Sequence, residues 1–197
     1  MPRVLLTAFE PYGSWQSNAS WLALVELTRE MPAEPELTTR RYPVEFSEVQ
    51  RRLRRDLEAD YDYAIHLGQA PGAGRIHLEA IGLNVCGDPA LSAQQYGPLD
   101  PQGPVAYRSA LPLGDWAEKL QAADIPAGVS YHAGTYLCNA TLYWSHRYAE
   151  QMGLRTRSLF VHLPLDVSQT VGLEKDRASL PTPFSAAALR ILLGELK

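Results

Sequence analysis

Apolar and polar positions along the chain fall into blocks whose period switches repeatedly between that of a strand and that of a helix. RVLLTAF (residues 3–9) is a short apolar run ended by Glu-Pro and Gly13, which predicts a buried strand and a turn. Trp21, Leu24, Val25 and Thr28 follow at helical spacing, with Asn18 as the N-cap. ELTTRRYPV is a weaker strand candidate. Between 45 and 59, Phe46, Val49, Leu53 and Leu57 form one stripe, with Arg51, Arg52, Arg54 and Arg55 mostly off it. Glu and Asp interleave with those arginines, so a solvated helix face is a better reading than a phosphate-binding cluster.

YDYAIHLGQAPGAGR (61–75) predicts an apolar strand entering a glycine-rich loop, and IHLEAIGLNV (76–85) one further strand. Residues 86–114, rich in Gly, Pro, Asp, Ser and Gln, form a long irregular stretch of the kind that tends to serve as a lid or mobile segment. Next come a helix around Trp116 and Leu120, a short strand GVSYH, a helix carrying Cys138, and the strand RSLFVHL (157–163). A last helix starts near Thr182 with Pro183 at its first position. No repeat or low-complexity linker divides this pattern. Strands alternating with helices predict a single domain over 1–197: three α/β/α layers around a mixed, largely parallel twisted sheet.

The composition removes several classes of function. With 46% hydrophobic and 20% charged residues and a formal net charge of −4, the chain has no electrostatic footprint for nucleic acid or an anionic membrane. No apolar run reaches a bilayer-spanning length. MPRVLLTAFEPYG makes a poor signal peptide, and two cysteines make no disulfide framework, so the expected location is cytoplasmic with reduced thiols.

Three places could carry chemistry. GQAPGAG (68–74) lacks the Lys-Ser or Lys-Thr of a P-loop and no helix opens after it, so a backbone-lined pocket for a small polar ligand suits it better than a phosphate cradle. Cys138 lies in the first turn of its helix, one position off the stripe of Leu137, Ala140, Thr141, Trp144 and Tyr148, with Gly153 placed to end that helix. The unpaired N–H groups of a first turn favour a thiolate and could hold a developing oxyanion. A cysteine taken alone is more often a buried structural residue, and both readings of Cys138 stand; Cys86 lacks a comparable setting. His162 ends an apolar strand, where open α/β sheets place their ligand sites. A cysteine at a helix start and a histidine at a strand end suit a thiol nucleophile and its base, although His66 and His77 also lie on strands. Glu79 is a poor strand-interior residue without a partner, which makes it a candidate to orient a histidine. No G-x-S-x-G elbow is present.

Four blocks, in order, carry a resemblance: VLLTAFEPYG, LGQAPGAGRIHLEAIGLN, VSYHAGTYLCNATLY and FVHLPLDVSQ. Together they resemble the pyroglutamyl peptidase I family of cysteine peptidases. The resemblance implies a catalytic Cys138, His162 and Glu79, and removal of an N-terminal pyroglutamyl residue from small peptides through a thioester. It implies recognition of the lactam ring by Phe9, Tyr12, Asn18 and the backbone at Gln69, with Tyr136 and Leu137 nearby. It further implies no metal or cofactor, and a homo-dimer or homo-tetramer. The chain departs from the family pattern at several points. Tyr12 stands for the usual Phe, Ala8 for a Gly, Ala80 for an Arg and Ala140 for a His. VCGDPALSAQQYGP replaces the family's R-I-P-D-N-x-G segment, which helps close the pocket. That replacement prompts one alternative, a thiol hydrolase of this fold acting on another small acyl or lactam group; GQAPGAG prompts another, a non-catalytic binder of cyclised N-termini.

Overall fold

The computed structural model describes residues 1–88 and 92–197. Eight strands are present among them: β1 (Arg3–Phe9), β2 (Glu36–Tyr42), β3 (Tyr63–Gln69), β4 (Ile76–Glu79), β5 (Ile81–Leu83), β6 (Ala106–Arg108), β7 (Ala127–Ser130) and β8 (Arg157–Leu163). Six helices accompany them: α1 (Ala19–Arg29), α2 (Phe46–Leu57), α3 (Leu113–Ala122), α4 (Leu137–Met152), α5 (Val167–Thr170) and α6 (Thr182–Gly194). The main sheet runs β2-β1-β3-β8-β4-β7. Its first four strands are parallel; β4 is antiparallel to β8, and β7 is parallel to β4.

The alternation of side chains along the strands builds two cores. Val4, Leu6, Ile65, Leu67, Leu159 and Val161 face α1, α3 and α6. Leu5, Phe9, Ala64 and Phe160 face α2 and α4. This is the expected three-layer α/β/α arrangement with a mixed, mostly parallel sheet. No helix among the described residues is long and apolar enough to cross a membrane.

Local chemistry sets the helix boundaries. The Asn18 side chain accepts from the backbone N–H of Ser20 at 3.1 Å and from its hydroxyl at 2.8 Å, starting α1. On α2, Glu45 accepts from the Ser47 and Glu48 N–H groups at its start, and Glu48 pairs with Arg51 and Arg52 on the exposed face. Gly153, at φ 67°, ends α4 in the left-handed conformation that glycine adopts without strain. Pro183 is the second residue of α6 rather than the first, because Thr182 is held at the helix start by Asp166 Oδ2 through both its N–H (2.8 Å) and its hydroxyl (2.6 Å).

The single strand expected over 76–85 is two strands. β4 stops at Glu79, and Ala80 directs its N–H to Ser130 O (2.7 Å) while its carbonyl accepts from Ser109 N (2.9 Å). The chain then leaves the sheet as β5, which pairs antiparallel with β6 and lies on α4. Two features require this path. A Cβ on Gly82 would stand 2.9 Å from Tyr143 N, so only glycine allows so close an approach to the helix backbone. Asn139 then clamps the strand, its Oδ1 accepting from Leu83 N (2.8 Å) and its Nδ2 donating to Leu83 O (2.9 Å) and Val85 O (3.1 Å).

The stretch 86–114 is correspondingly less irregular than its composition predicts. It contains β6, a short 3₁₀ turn at Ala93–Gln95, and a mutual pair of backbone bonds between Cys86 and Gly97. Within the replaced segment, Pro89–Leu91 lie outside the described residues. Replacing Asn139 by Ala orphans three main-chain groups, and is expected to lower unfolding free energy by about 2–4 kcal/mol in urea titration.

Candidate active site

The site gathers at the carboxyl ends of β1, β3 and β8. Cys138 occupies the second position of α4. The residue before that helix, Tyr136, is extended and makes no side-chain cap bond. The first bond within the helix is Ala140 N to Tyr136 O, 3.0 Å, so the earlier N–H groups are free of intrahelical partners. Leu137, Ala140, Thr141, Trp144 and Tyr148 are all buried as the predicted stripe, which turns the partly exposed Cys138 sideways onto β3. Gly68 makes that contact possible. A Cβ there would lie 3.1 Å from Cys138 Sγ and 2.5 Å from the Phe160 ring.

His162 and Glu79 meet through strand register. In the antiparallel β4–β8 pair, Glu79 is opposite Phe160 and His77 is opposite His162, so Glu79 and His162 are diagonal neighbours on one face. His162 Nδ1 and Glu79 Oε1 are 2.7 Å apart and both residues are buried. This leaves the other ring nitrogen for the thiol, which is also a hydrogen-bond partner of the imidazole. Burial disfavours the imidazolium, but the interactions with Cys138 and Glu79 outweigh it and raise His162 to about 10. Burial likewise opposes the Glu79 carboxylate, and the His162 hydrogen bond and charge hold its pKa below the usual carboxylate value.

Beside the thiol lies a small cavity lined by Phe9, Tyr12, Asn18, Val44, Gly68 and Gln69 on one side and Tyr136, Leu137 and Cys138 on the other. Its walls are mainly apolar and aromatic, with a few polar atoms. Burial, followed by the influence of Cys138, pushes the Tyr12 phenol up, against a side-chain hydrogen bond with Gln69. Asn18 lines the cavity with its amide engaged elsewhere: Oδ1 caps α1 and Nδ2 donates to Glu10 O at 3.0 Å. A thiol, an imidazole and a carboxylate in series beside a small apolar slot can attack an acyl carbon, move the proton and hold the imidazole tautomer.

Comparison with known proteins shows which family shares this arrangement. The profile of the family described as Pyroglutamyl peptidase matches residues 2–194. The chain belongs to the pyroglutamyl peptidase family. It is 35% identical to Pyrrolidone-carboxylate peptidase of Clavibacter michiganensis, over 89% of this chain and 84% of that one. It is also 35% identical to Pyrrolidone-carboxylate peptidase 1 of Ralstonia nicotianae, over 98% and 92%. The crystal structure of pyrrolidone carboxyl peptidase from Fervidobacterium islandicum superposes with a TM-score of 0.92 at 30% identity, covering 100% of this chain and 98% of that one.

All nine residues singled out from the sequence and the resemblance converge on this one place: Cys138, His162 and Glu79 in contact, and Phe9, Tyr12, Asn18, Gln69, Tyr136 and Leu137 around the cavity. Val44 and Gly68 complete the lining; Gly68 opens the GQAPGAG loop read from the sequence as a backbone-lined pocket, and Val44 was not singled out. A glycine inside an apolar strand, as at Gly68, signals close approach of another group; nothing in the pattern marks Val44. The other strand histidines are elsewhere engaged. His66 is buried between Thr7 Oγ1 (2.8 Å) and Ser145 Oγ (3.0 Å). Burial, helped by His146, lowers it to about 3. His77 is kept from charging chiefly by burial and is no partner of the thiol. Cys86 pairs its backbone with Gly97 near Tyr136. Among the described residues no group of three or more His, Cys, Asp or Glu could hold a metal ion.

Two outcomes follow. Gly68→Ala forces Phe160 and the thiol aside, so it is expected to cost about 1–3 kcal/mol and to change the alkylation rate of Cys138 by iodoacetamide. His66 stays neutral in the folded chain to about 3, whereas unfolded histidine titrates near 6.5. The unfolded state therefore binds the extra proton as pH falls from about 6.5 towards 3, and stability declines over that window. Urea titrations at pH 7 and pH 4.5 are expected to show a larger loss for the wild type than for His66→Gln.

Proposed function

We propose that residues 1–197 form one catalytic domain that removes an N-terminal pyroglutamyl (5-oxoproline) residue from peptides. The observation that carries this reading is the uncapped start of α4. There Cys138, in contact with the His162–Glu79 pair, opens onto a small, mainly apolar cavity with aromatic walls. Family membership and the names of its relatives support the peptide substrate. The altered acyl hydrolase and the non-catalytic binder have no observation in their favour.

In this mechanism the ring enters between Phe9, Tyr12, Tyr136 and Leu137, with its amide against Gln69. The Cys138 thiolate attacks the carbonyl carbon joining the lactam residue to the next one. The new S–C bond pushes an electron pair onto the carbonyl oxygen, which the free N–H groups of the first turn of α4 stabilise. As the oxyanion collapses, the C–N bond breaks and the His162 imidazolium gives its proton to the leaving amine. The neutral imidazole then takes a proton from water, whose oxygen attacks the thioester. The C–S bond breaks, pyroglutamate leaves, and the thiolate–imidazolium pair is restored. Throughout, Glu79 holds Nδ1–H and so fixes the tautomer.

Two further parts belong to the proposal. The free thiols of Cys86 and Cys138 suit a reducing, cytoplasmic setting. The exposed Val171, Leu173 and Phe184 offer apolar surface for a homo-dimer or homo-tetramer.

Hydrolysis of a fluorogenic pyroglutamyl amide, with the matched prolyl amide as control, tests the reading. Turnover of the pyroglutamyl compound alone is expected. Cys138→Ser should lose at least about 10³-fold in kcat/KM, and Glu79→Gln about 10²- to 10⁴-fold with the fold retained. A folded, reduced wild type that hydrolyses neither amide, or a Cys138→Ser variant with undiminished turnover, would overturn it.

A further inference from the structure

The start of β4 carries two basic side chains that the proposed reaction does not use. In the β4–β7 pair, Ile76 is level with Ala127, His77 with Gly128 and Glu79 with Ser130. Ile76 and Ala127 belong to the core under α1, α3 and α6, so His77, Gly128 and Glu79 face the other way, towards α4. Because β4 runs antiparallel to β8, its start is the end level with the site, and His77 stands directly opposite His162. His77 is partly exposed, whereas Glu79 and His162 are buried.

Arg75 completes this corner. It is exposed and forms no ion pair among the described residues. The place beside His77 on β7 is a glycine, and a Cβ at Gly128 would lie 3.6 Å from both Cδ and Nη1 of Arg75. The guanidinium therefore reaches back over the space that a side chain on β7 would fill, on the face that His77 and Glu79 share. Burial lowers the His77 pKa; Glu79 pulls it up, and His162 and Arg75 add to the fall. A neutral imidazole with an N–H to donate thus sits beside a guanidinium that is always charged.

The order of the sheet decides which part of a substrate passes this corner. The cavity is lined by Phe9 at the end of β1 and by Gly68 and Gln69 at the end of β3, and the sheet continues through β8 and β4 to β7. The acyl carbon is attacked by Cys138, and the leaving amine takes its proton from His162 on β8. The leaving peptide therefore runs from β8 over the starts of β4 and β7. Two strand spacings are about 10 Å and an extended chain advances about 3.3 Å per residue, so its first two residues with their side chains cover that span. We infer that Arg75, with His77 beside it, binds a carboxylate on the leaving peptide, the guanidinium fork taking the two oxygens. This deepens the proposed function and rests on it. The favoured substrates are pyroglutamyl peptides that are acidic at the first or second residue after the ring, or that end there in a free carboxylate.

The test measures release of pyroglutamate from pyroglutamyl-Glu-Ala amide, pyroglutamyl-Ala-Glu amide and pyroglutamyl-Lys-Ala amide, and from pyroglutamyl-alanine as the free acid and as the amide. At low salt the wild type is expected to favour an acid-bearing peptide over its lysyl or amide counterpart by about three- to tenfold in kcat/KM, mostly through KM. The preference should shrink in about 0.5 M NaCl. Arg75→Gln should abolish it, Arg75→Lys should keep part of it, and Arg75→Glu should invert it towards the lysyl peptide. The acid-bearing substrate that responds to these changes identifies the source of the carboxylate: first residue, second residue or chain end. A wild type that hydrolyses acidic, lysyl and amide substrates equally well, or a folded Arg75→Glu that keeps the wild-type preference, would overturn the inference alone. Absence of turnover of every pyroglutamyl compound would overturn the proposed function, and the inference with it.

Discussion

A carboxylate sealed inside a sheet must be met by a positive partner, and the layout of this molecule follows from how Glu79 meets His162. An unpaired charge at that depth would cost several kcal/mol. The 2.7 Å contact with Nδ1 answers it on one oxygen, while Oε2 is buried without a hydrogen bond. Ser130 and His77 add smaller restraints on the charge, so the imidazole carries most of the compensation. The direction of β4 provides this geometry. Laid antiparallel to β8, it sets Glu79 opposite Phe160, one diagonal step from His162.

The elements that depend on local period were legible in the chain: β1, β3 and β8 as apolar runs, α2 and α4 as stripes, Asn18 and Gly153 as stops. Elements that depend on pairing between distant segments were not. Nothing within IHLEAIGLNV announces that the strand ends at Glu79, because the reason is Tyr143 and Asn139 on α4, more than fifty positions later. The same holds within the site. Cys138, His162 and Glu79 could be picked out by where each type sits, at a helix start, a strand end and a strand interior. Their meeting spans 83 positions between Glu79 and His162 and is a property of register alone.

The helix that carries the thiol is built to do without a cap at its start. Leu137, Ala140, Thr141, Trp144 and Tyr148 hold it by burial, and Gly153 closes its other end. Tertiary packing replaces capping as the source of helix stability. The polar groups a cap would have covered remain available to a substrate. Stability and chemistry thus occupy opposite ends and opposite faces of one element.

The fastenings of the segment after β5 nearest the thiol share a further property. Asn139 grips Leu83 and Val85, Thr135 O accepts from Gly87 N at 2.8 Å, and the Tyr143 hydroxyl donates to Pro104 O at 3.0 Å. Each takes hold of main chain in that segment, which every residue type other than proline supplies in full. Such a joint works as a socket indifferent to the identity of the plug. The sequence of this segment can therefore vary while the nucleophile beneath it keeps its seat and Cys138, His162 and Glu79 stay in contact.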